Sequence, residues 1–467
     1  METESPLQVI RSKLFYGLLR YTKSFPDFSI PQRFMLASPR EGKELLEKIS
    51  DSLAREAEIL LYVHLPFCPS TCVFCNAFPQ KSNTDLQAKY IEHLLAEIEI
   101  YSSSRVFAGK LVKCLYLGGG TPTSFSGSDL RRIIQKLRSV AEFSKECSVT
   151  CEAHSRDLQG GGRIEELSAL GINRISIGCQ TFDERVLGYC RRSNRESQVQ
   201  EVIDQARRVG LPTNIDMMLG LPGQSLDGVR RDLDILSEIA PSSLEYMRHE
   251  IVNPLAVSLY RRSPELLVGD DELFSMTYAT QEWIEEKGYE QNGRFTSERQ
   301  FPYRYHWLKE VPFVALGARS RSHTKSICCD KHEDLSTYFR LIEKGLPPIA
   351  RYVVLEKKEQ MYRSLFLNIQ IRDGLELKQF ADRFGEDALE VFSPLLDGLV
   401  ACGCIEADAS AIRLSKYGRY FVEDVCCFIV DHAVREGEYD GGVRRMPHSS
   451  GAFAERLSSR AKIQEGK

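Results

Sequence analysis

The chain has 467 residues, 42% of them hydrophobic and 27% charged, with 61 Lys and Arg against 65 Asp and Glu. That balance argues against a general nucleic-acid-binding role, and no apolar run reaches the ~18 to 20 residues that span a bilayer. The N-terminus METESPLQVIRSK lacks the apolar core of a signal peptide, so the chain reads as cytoplasmic. Its fourteen Cys then point to metal rather than to disulfides.

Residues 1–55 read as an N-terminal helical extension, with amphipathic patches at Leu14–Leu19 and Glu44–Leu53. From residue 58, β-rich runs alternate with segments of helical spacing. The runs are Ile59–Leu65, Val112–Leu117, Ser148–His154, Arg174–Gln180, Thr213–Leu219 and Leu244–Ile251. Helical spacing between them marks Ala88–Tyr101, Asp129–Phe143, Gln198–Val209 and Leu226–Ile239. Such alternation predicts βαβ units in an α/β fold with a mostly parallel sheet. Six units are too few for an eight-fold barrel and predict an open, partial (β/α)6 TIM-like barrel, with its site at the C-terminal strand ends.

Residues 56–330 hold this barrel and a substrate-side extension, which includes a helix near Asp270–Lys287 and a loop-rich aromatic stretch, Arg294–His306. Residues 331–435 form a C-terminal helical domain. Its helices fall at Lys357–Ile369, Leu377–Phe384 and Glu390–Cys402, before a hairpin at Ile405–Leu414 and a helix after Lys416. That order is winged-helix-like. Residues 436–467 read as a mobile basic tail.

The most informative segment is Cys68-Pro-Ser-Thr-Cys72-Val-Phe74-Cys75, directly after the first strand. Three thiols on one loop can converge on a metal centre. Iron–sulfur clusters are usually held by four thiolates, so three leave one iron open to a ligand. A structural Cys3His zinc site using His64 is the alternative, but His64 lies within the strand. Three unrelated buried thiols would not explain the position. The other eleven Cys read as small buried hydrophobes.

Further motifs follow in order. They are Tyr62-Val-His64-Leu-Pro-Phe67-Cys68, Leu115-Tyr-Leu-Gly118-Gly119-Gly120-Thr121-Pro122, Ile177-Gly-Cys-Gln180-Thr-Phe-Asp183, Asn214-Ile-Asp216-Met-Met-Leu-Gly220-Leu-Pro-Gly-Gln224 and Gly418-Arg-Tyr-Phe-Val-Glu-Asp-Val425. The set resembles the radical S-adenosylmethionine (SAM) superfamily, and within it the oxygen-independent coproporphyrinogen III oxidase family, from about residue 58 to residue 435.

The resemblance implies a [4Fe–4S] cluster on Cys68, Cys72 and Cys75, with SAM chelating the open iron and yielding a 5′-deoxyadenosyl radical. It implies that Phe74 shields the cluster and touches adenine, and that Gly119, Gly120 and Thr121 meet the SAM amino group. It makes Glu152, Gln180, Arg192 and Asp216 SAM contacts and places Tyr62 near a second SAM molecule. An electron donor such as flavodoxin or ferredoxin is implied too. From position alone, His249 and Glu250 end the sixth strand and are candidates for substrate or proton handling, with Tyr62 beside them in the catalytic set. His64 reads either as an orienting group or as a core histidine.

The sequence departs from that family at three places. Ala77 stands where a fourth cysteine belongs, Arg192-Ser193-Asn194 lacks the family's Arg-x-His, and Leu316-Gly317-Ala318-Arg319-Ser320 replaces a Gly-rich run. These departures favour the class C methyltransferase and cyclopropanase branch: one-carbon transfer, using two SAM molecules, to an unsaturated or aromatic small molecule. The alternatives are tetrapyrrole chemistry (porphyrinogen decarboxylation or anaerobic haem ring opening) and a non-catalytic haem chaperone.

Overall fold

The central strands carry aliphatic residues on the face that packs against helices and polar or aromatic residues on the other, the pattern of a parallel barrel sheet. The computed structural model describes residues 35–435 except 78, 294 and 298–301, so the Leu14–Leu19 patch and the basic tail lie outside the described residues. Six parallel strands form the barrel: β1 (Glu58–Leu65), β2 (Leu111–Gly119), β3 (Glu142–Ala153), β4 (Arg174–Gln180), β5 (Thr213–Leu219) and β6 (Ser243–Arg248). They lie side by side in chain order, the arrangement of a partial barrel. Helices cross back between them, among them Thr84–Ser103, Gly127–Val140, Glu196–Arg208 and Leu226–Ile239. Side chains of Asn83, Ser126 and Ser225 cap three of these by accepting first-turn N–H groups.

The sheet extends further than the six runs. A seventh strand, β7 (Phe313–Leu316), pairs parallel with β1 on its far side. Beyond it, β8 (Arg321–His323), β9 (Ile327–Lys331) and β10 (Ile349–Val354) add antiparallel, as does the short strand Met35–Leu36. The other edge carries a hairpin, Glu290–Asn292 and Phe295–Ser297, whose second strand falls in the stretch read as loop-rich. The boundary expected at residue 331 therefore falls inside the sheet, at the last residue of β9. Four residues are too few for β7 to declare a period. The predicted helix Asp129–Phe143 stops at Val140, because the chain extends from Ala141 into a longer β3. Glu390–Cys402 is two helices, Ala388–Val391 and Ser393–Ala401, broken at Phe392 before Pro394.

A buried charge joins these layers. Glu97, fully buried on helix Thr84–Ser103, accepts from Lys331 Nζ, from the Gly317 amide at 2.8 Å and from Tyr338 Oη at 2.6 Å. On the same helix, Tyr90 Oη donates to the His64 carbonyl at 2.8 Å and accepts from the Ala318 amide at 3.0 Å. One helix thus fixes both β1 at its C-terminal end and the turn after β7.

From Lys357 on, the described C-terminal region packs six helices and a three-stranded antiparallel sheet, with the hairpin Ile405–Ala407 and Ala411–Leu414 as its wing. Its last described helix, Val422–Arg435, reaches the barrel. There Arg248, at the end of β6, pairs with Glu423 at 2.6 Å and Asp424 at 3.1 Å. Among the described residues no helix is long and apolar enough to cross a membrane.

Candidate active site

Strand alternation turns every second residue inward. Register sets Tyr62 beside Tyr116, Glu152 beside Ser176, and Asp216 beside Glu245, lining the barrel with polar and aromatic groups rather than aliphatic ones. Asn214 donates to Asp216 at 2.6 Å and to Ser176 at 2.9 Å, and accepts from Ser243 at 2.6 Å. Arg174 donates to Ser243 as well. Burial, then Glu245 and Glu152, push the Asp216 carboxyl well above its ordinary range. Burial likewise raises Glu152 to about 7, against the lowering pull of the Gly119 amide.

The Cys loop lies at the mouth. Phe67–Cys68 forms a short parallel pair with Gln80–Lys81 and closes the loop at its base. Asn253 Nδ2 donates to the carbonyl of Cys75 at 2.8 Å and to that of Cys72 at 3.4 Å. The Val73 amide bonds the Cys190 carbonyl at 3.0 Å. Cys68 Sγ is 3.0 Å from Thr121 Oγ1, and burial pushes its thiol up to about 11. Cys75 and Cys72 are near enough to add to that rise. None of the three thiols is in a disulfide and all are part-exposed, while of the other eleven only Cys402 is not buried. Among the described residues no three His, Cys, Asp or Glu side chains stand close enough to hold a single metal ion. A cubane asks less, because each thiolate binds its own iron. Thiols on a pinned loop at the strand ends fit that donor set.

The glycine turn is packed against this loop. The Gly120 amide bonds Leu65 O at 2.9 Å and the Thr121 amide bonds Phe67 O at 2.8 Å. A Cβ on Gly120 would meet Phe67 O at 2.5 Å, and one on Gly119 would meet the His64 ring at 2.5 Å. The Gly119 amide donates to Glu152 Oε2 at 2.9 Å. Glu152 is thereby aimed at the turn, as a group recognising an ammonium beside it must be.

Two buried polar atoms point into the site without a hydrogen-bond partner among the described residues: Gln180 Oε1 and His64 Nε2. Gln180 sits at φ 77°, a left-handed conformation that reverses the chain at the end of β4. His64 Nδ1 lies 3.0 Å from Tyr62 Oη, and burial drives its imidazole down to about 3. Its Nδ1 is turned to Tyr62, and no described histidine joins the thiols in a group that could hold a single metal ion, which disfavours the Cys3His zinc alternative. Arg192 donates to Gly178 O and Asn194, with Nη1 3.8 Å from Cys72 Sγ. Phe74 packs against Val186, Cys190, Met218 and Leu221 beside the loop. These groups suit a ligand bearing an ammonium, a carboxylate and an aromatic base, as SAM does.

Two candidates lie just past the last barrel strand. His249 and Glu250 lie beyond β6, which ends at Arg248. The His249 ring sits 6.0 Å from that of Tyr260, and Glu250 lies near Cys427 of the C-terminal helix. Sequence reading passed over Tyr116, Arg174, Asn214, Ser243 and Glu245 on the barrel's inner face. Their signal was polar residues at alternate positions of otherwise apolar strands.

Three part-exposed thiols after the first strand of a partial barrel, a glycine turn after the second and orphaned polar atoms beside them are the arrangement that the radical SAM resemblance implies. Residues 62–236 match the radical SAM superfamily and residues 355–421 match the HemN C-terminal domain. The chain thus carries a radical SAM domain in its barrel, followed by a HemN C-terminal domain. It is 26% identical over 400 residues to the oxygen-independent coproporphyrinogen III oxidase of Escherichia coli K12, covering 80% of this chain and 86% of that one. It is 25% identical to the heme chaperone HemW of Bacillus subtilis, covering 78% and 97%. With the anaerobilin synthase of Escherichia coli O157:H7 it shares 24% identity, covering 81% and 85%. The solved structure of Escherichia coli coproporphyrinogen III oxidase superposes with a TM-score of 0.75 at 22% identity, covering 88% of this chain and 98% of the other.

Proposed function

We propose that this chain is a radical SAM enzyme that acts on a tetrapyrrole. One observation carries the reading: the chain spans 85% or more of relatives named for coproporphyrinogen III, heme and anaerobilin, C-terminal domain included. The expectation of one-carbon transfer finds no support among these relatives. In this reading Cys68, Cys72 and Cys75 hold the cluster. A [4Fe–4S] cluster so bound supplies the electron that opens a C–S bond of SAM.

The chain's own residues bind and orient. Glu152 and Gln180 offer oxygen acceptors to the SAM ammonium beside the Gly119–Thr121 turn. Arg192 faces the SAM carboxylate, and Asp216 accepts from the ribose hydroxyls. Tyr62 stacks with Tyr116 at 6.1 Å and Phe313 at 5.8 Å, an aromatic wall along the inner face. Water is kept from this wall by Tyr303, whose ring lies 4.6 Å from that of Tyr116.

A second reading, two-SAM methylation or cyclopropanation of another unsaturated molecule, draws on Ala77 and on Arg192-Ser193-Asn194, where the porphyrinogen enzymes carry Cys and Arg-x-His. Mass spectrometry separates the two. Reduced enzyme is given methyl-deuterated SAM with coproporphyrinogen III, with haem, or with neither. The tetrapyrrole reading predicts 5′-deoxyadenosine that depends on one of the two tetrapyrroles. Tight haem binding with no nucleoside product would make the chain a haem carrier. S-adenosylhomocysteine and label in a product that appear with a cell extract, but with neither tetrapyrrole, would favour the second reading.

A further inference from the structure

One side of the barrel mouth is cationic and opens to solvent. After β4 the chain turns at Arg191, whose φ of 57° lies in the left-handed region, and the Arg192 amide bonds Leu187 O at 3.0 Å. The reversal sends consecutive arginines opposite ways. Arg191 is exposed, whereas Arg192 turns inward to within 3.8 Å of Cys72 Sγ. Arg192 also lines an open cleft of about 480 Å³ with Arg156, Arg195 and Asn194. Of its lining arginines Arg156 and Arg195 are exposed, and Arg185 and Arg191 are exposed close by in the chain. The exposed carboxylates among them are Glu184 and Glu196, so positive charge is in clear excess on a chain whose net charge is −4.

Each SAM cleaved consumes one electron, which must reach a cluster ligand from outside the chain. We propose that this arginine cleft is the docking site of an acidic one-electron carrier, a flavin or iron–sulfur protein, and that the electron enters at the Cys72 corner. The carrier loses one electron and the cluster gains it; no bond or proton moves. The cleft's inner wall touches a cluster thiol while its rim is charged, which suits an anionic protein surface steered by long-range attraction. The inference rests on the radical SAM assignment and is independent of the tetrapyrrole reading. The other occupant such a cleft admits is a small anion, and the test separates the two.

The probe is an acidic flavodoxin, and the protein is the reconstituted holoenzyme, wild type or Arg156→Glu/Arg195→Glu. Affinity is measured by calorimetry at about 0.05 M and about 0.3 M salt, since surface attraction is screened over that range. SAM cleavage is driven in parallel by reduced flavodoxin or by dithionite. The proposal predicts flavodoxin binding at least ten-fold weaker in the double variant, wild-type binding that weakens with salt, and an unchanged dithionite-driven rate. Affinity unchanged within two-fold, or no wild-type binding, overturns it. An equal fall in both driven rates also overturns it and makes the cleft a small-anion site.

Discussion

Glycine is required at 119 and 120 by what stands opposite, a histidine ring at one and backbone of the Cys loop at the other. Backbone cannot step aside as a flexible side chain can, so Gly120→Ala should spread the Cys loop. Reconstituted protein should then retain far less iron, read by iron assay, with little change in helical content by circular dichroism. Glu152 gives a prediction with a sign. Its carboxyl is raised to about 7 and is protonated below that pH, when it no longer attracts an ammonium. SAM affinity should therefore rise as pH climbs through about 7, and Glu152→Gln should flatten the profile, measured by equilibrium dialysis. The raised value also makes the folded chain less stable as pH rises from the ordinary carboxylate range to 7, because only the unfolded chain ionises there. Residues in local motifs, such as the three Cys and the glycine turn, were legible one by one. Glu245 and Arg174 were not, because their meaning lies in neighbours on other strands.

Strands with branched apolar residues on their helix-facing side announced themselves, and four of the six barrel runs match their structural bounds within two residues. The start of β3 before Ser148 is hidden in the sequence because Glu142–Glu146 is mostly polar and at most half-buried, without the apolar period that marks a strand. β7 was missed through brevity, although the departure at Gly317–Ser320 was noticed in the turn just after it. That turn is held by Glu97, Lys331 and Tyr90. Lys331→Met leaves Glu97 buried without its cation, so stability should drop by about 3 to 5 kcal/mol in denaturant unfolding. The Cys loop hangs on Asn253 in the same way. Asn253→Ala should keep the fold but remove the amide that bridges the Cys72 and Cys75 carbonyls, at a cost of ~1 kcal/mol, and release iron faster to a chelator.

At the scale of the molecule, barrel and C-terminal module meet at Arg248, whose two carboxylate partners stand on the last described helix. The two-part order of the chain was legible because hydrophobic period changes from strand–helix alternation to clustered helices. Where the sheet ends was not, since β9 and β10 belong to it only through pairing across the chain. Arg248→Ala should leave Asp424 buried without its ion pair and expose the C-terminal module to limited proteolysis before the barrel. The central claim, that three thiols at the strand ends hold a cluster to which SAM binds, is tested most directly by electron paramagnetic resonance of the reduced, reconstituted protein. The account predicts about four irons per chain, a reduced-cluster signal whose g values shift when SAM is added, and loss of that signal in Cys72→Ala. A signal that SAM leaves unmoved, or one that survives Cys72→Ala, would contradict it.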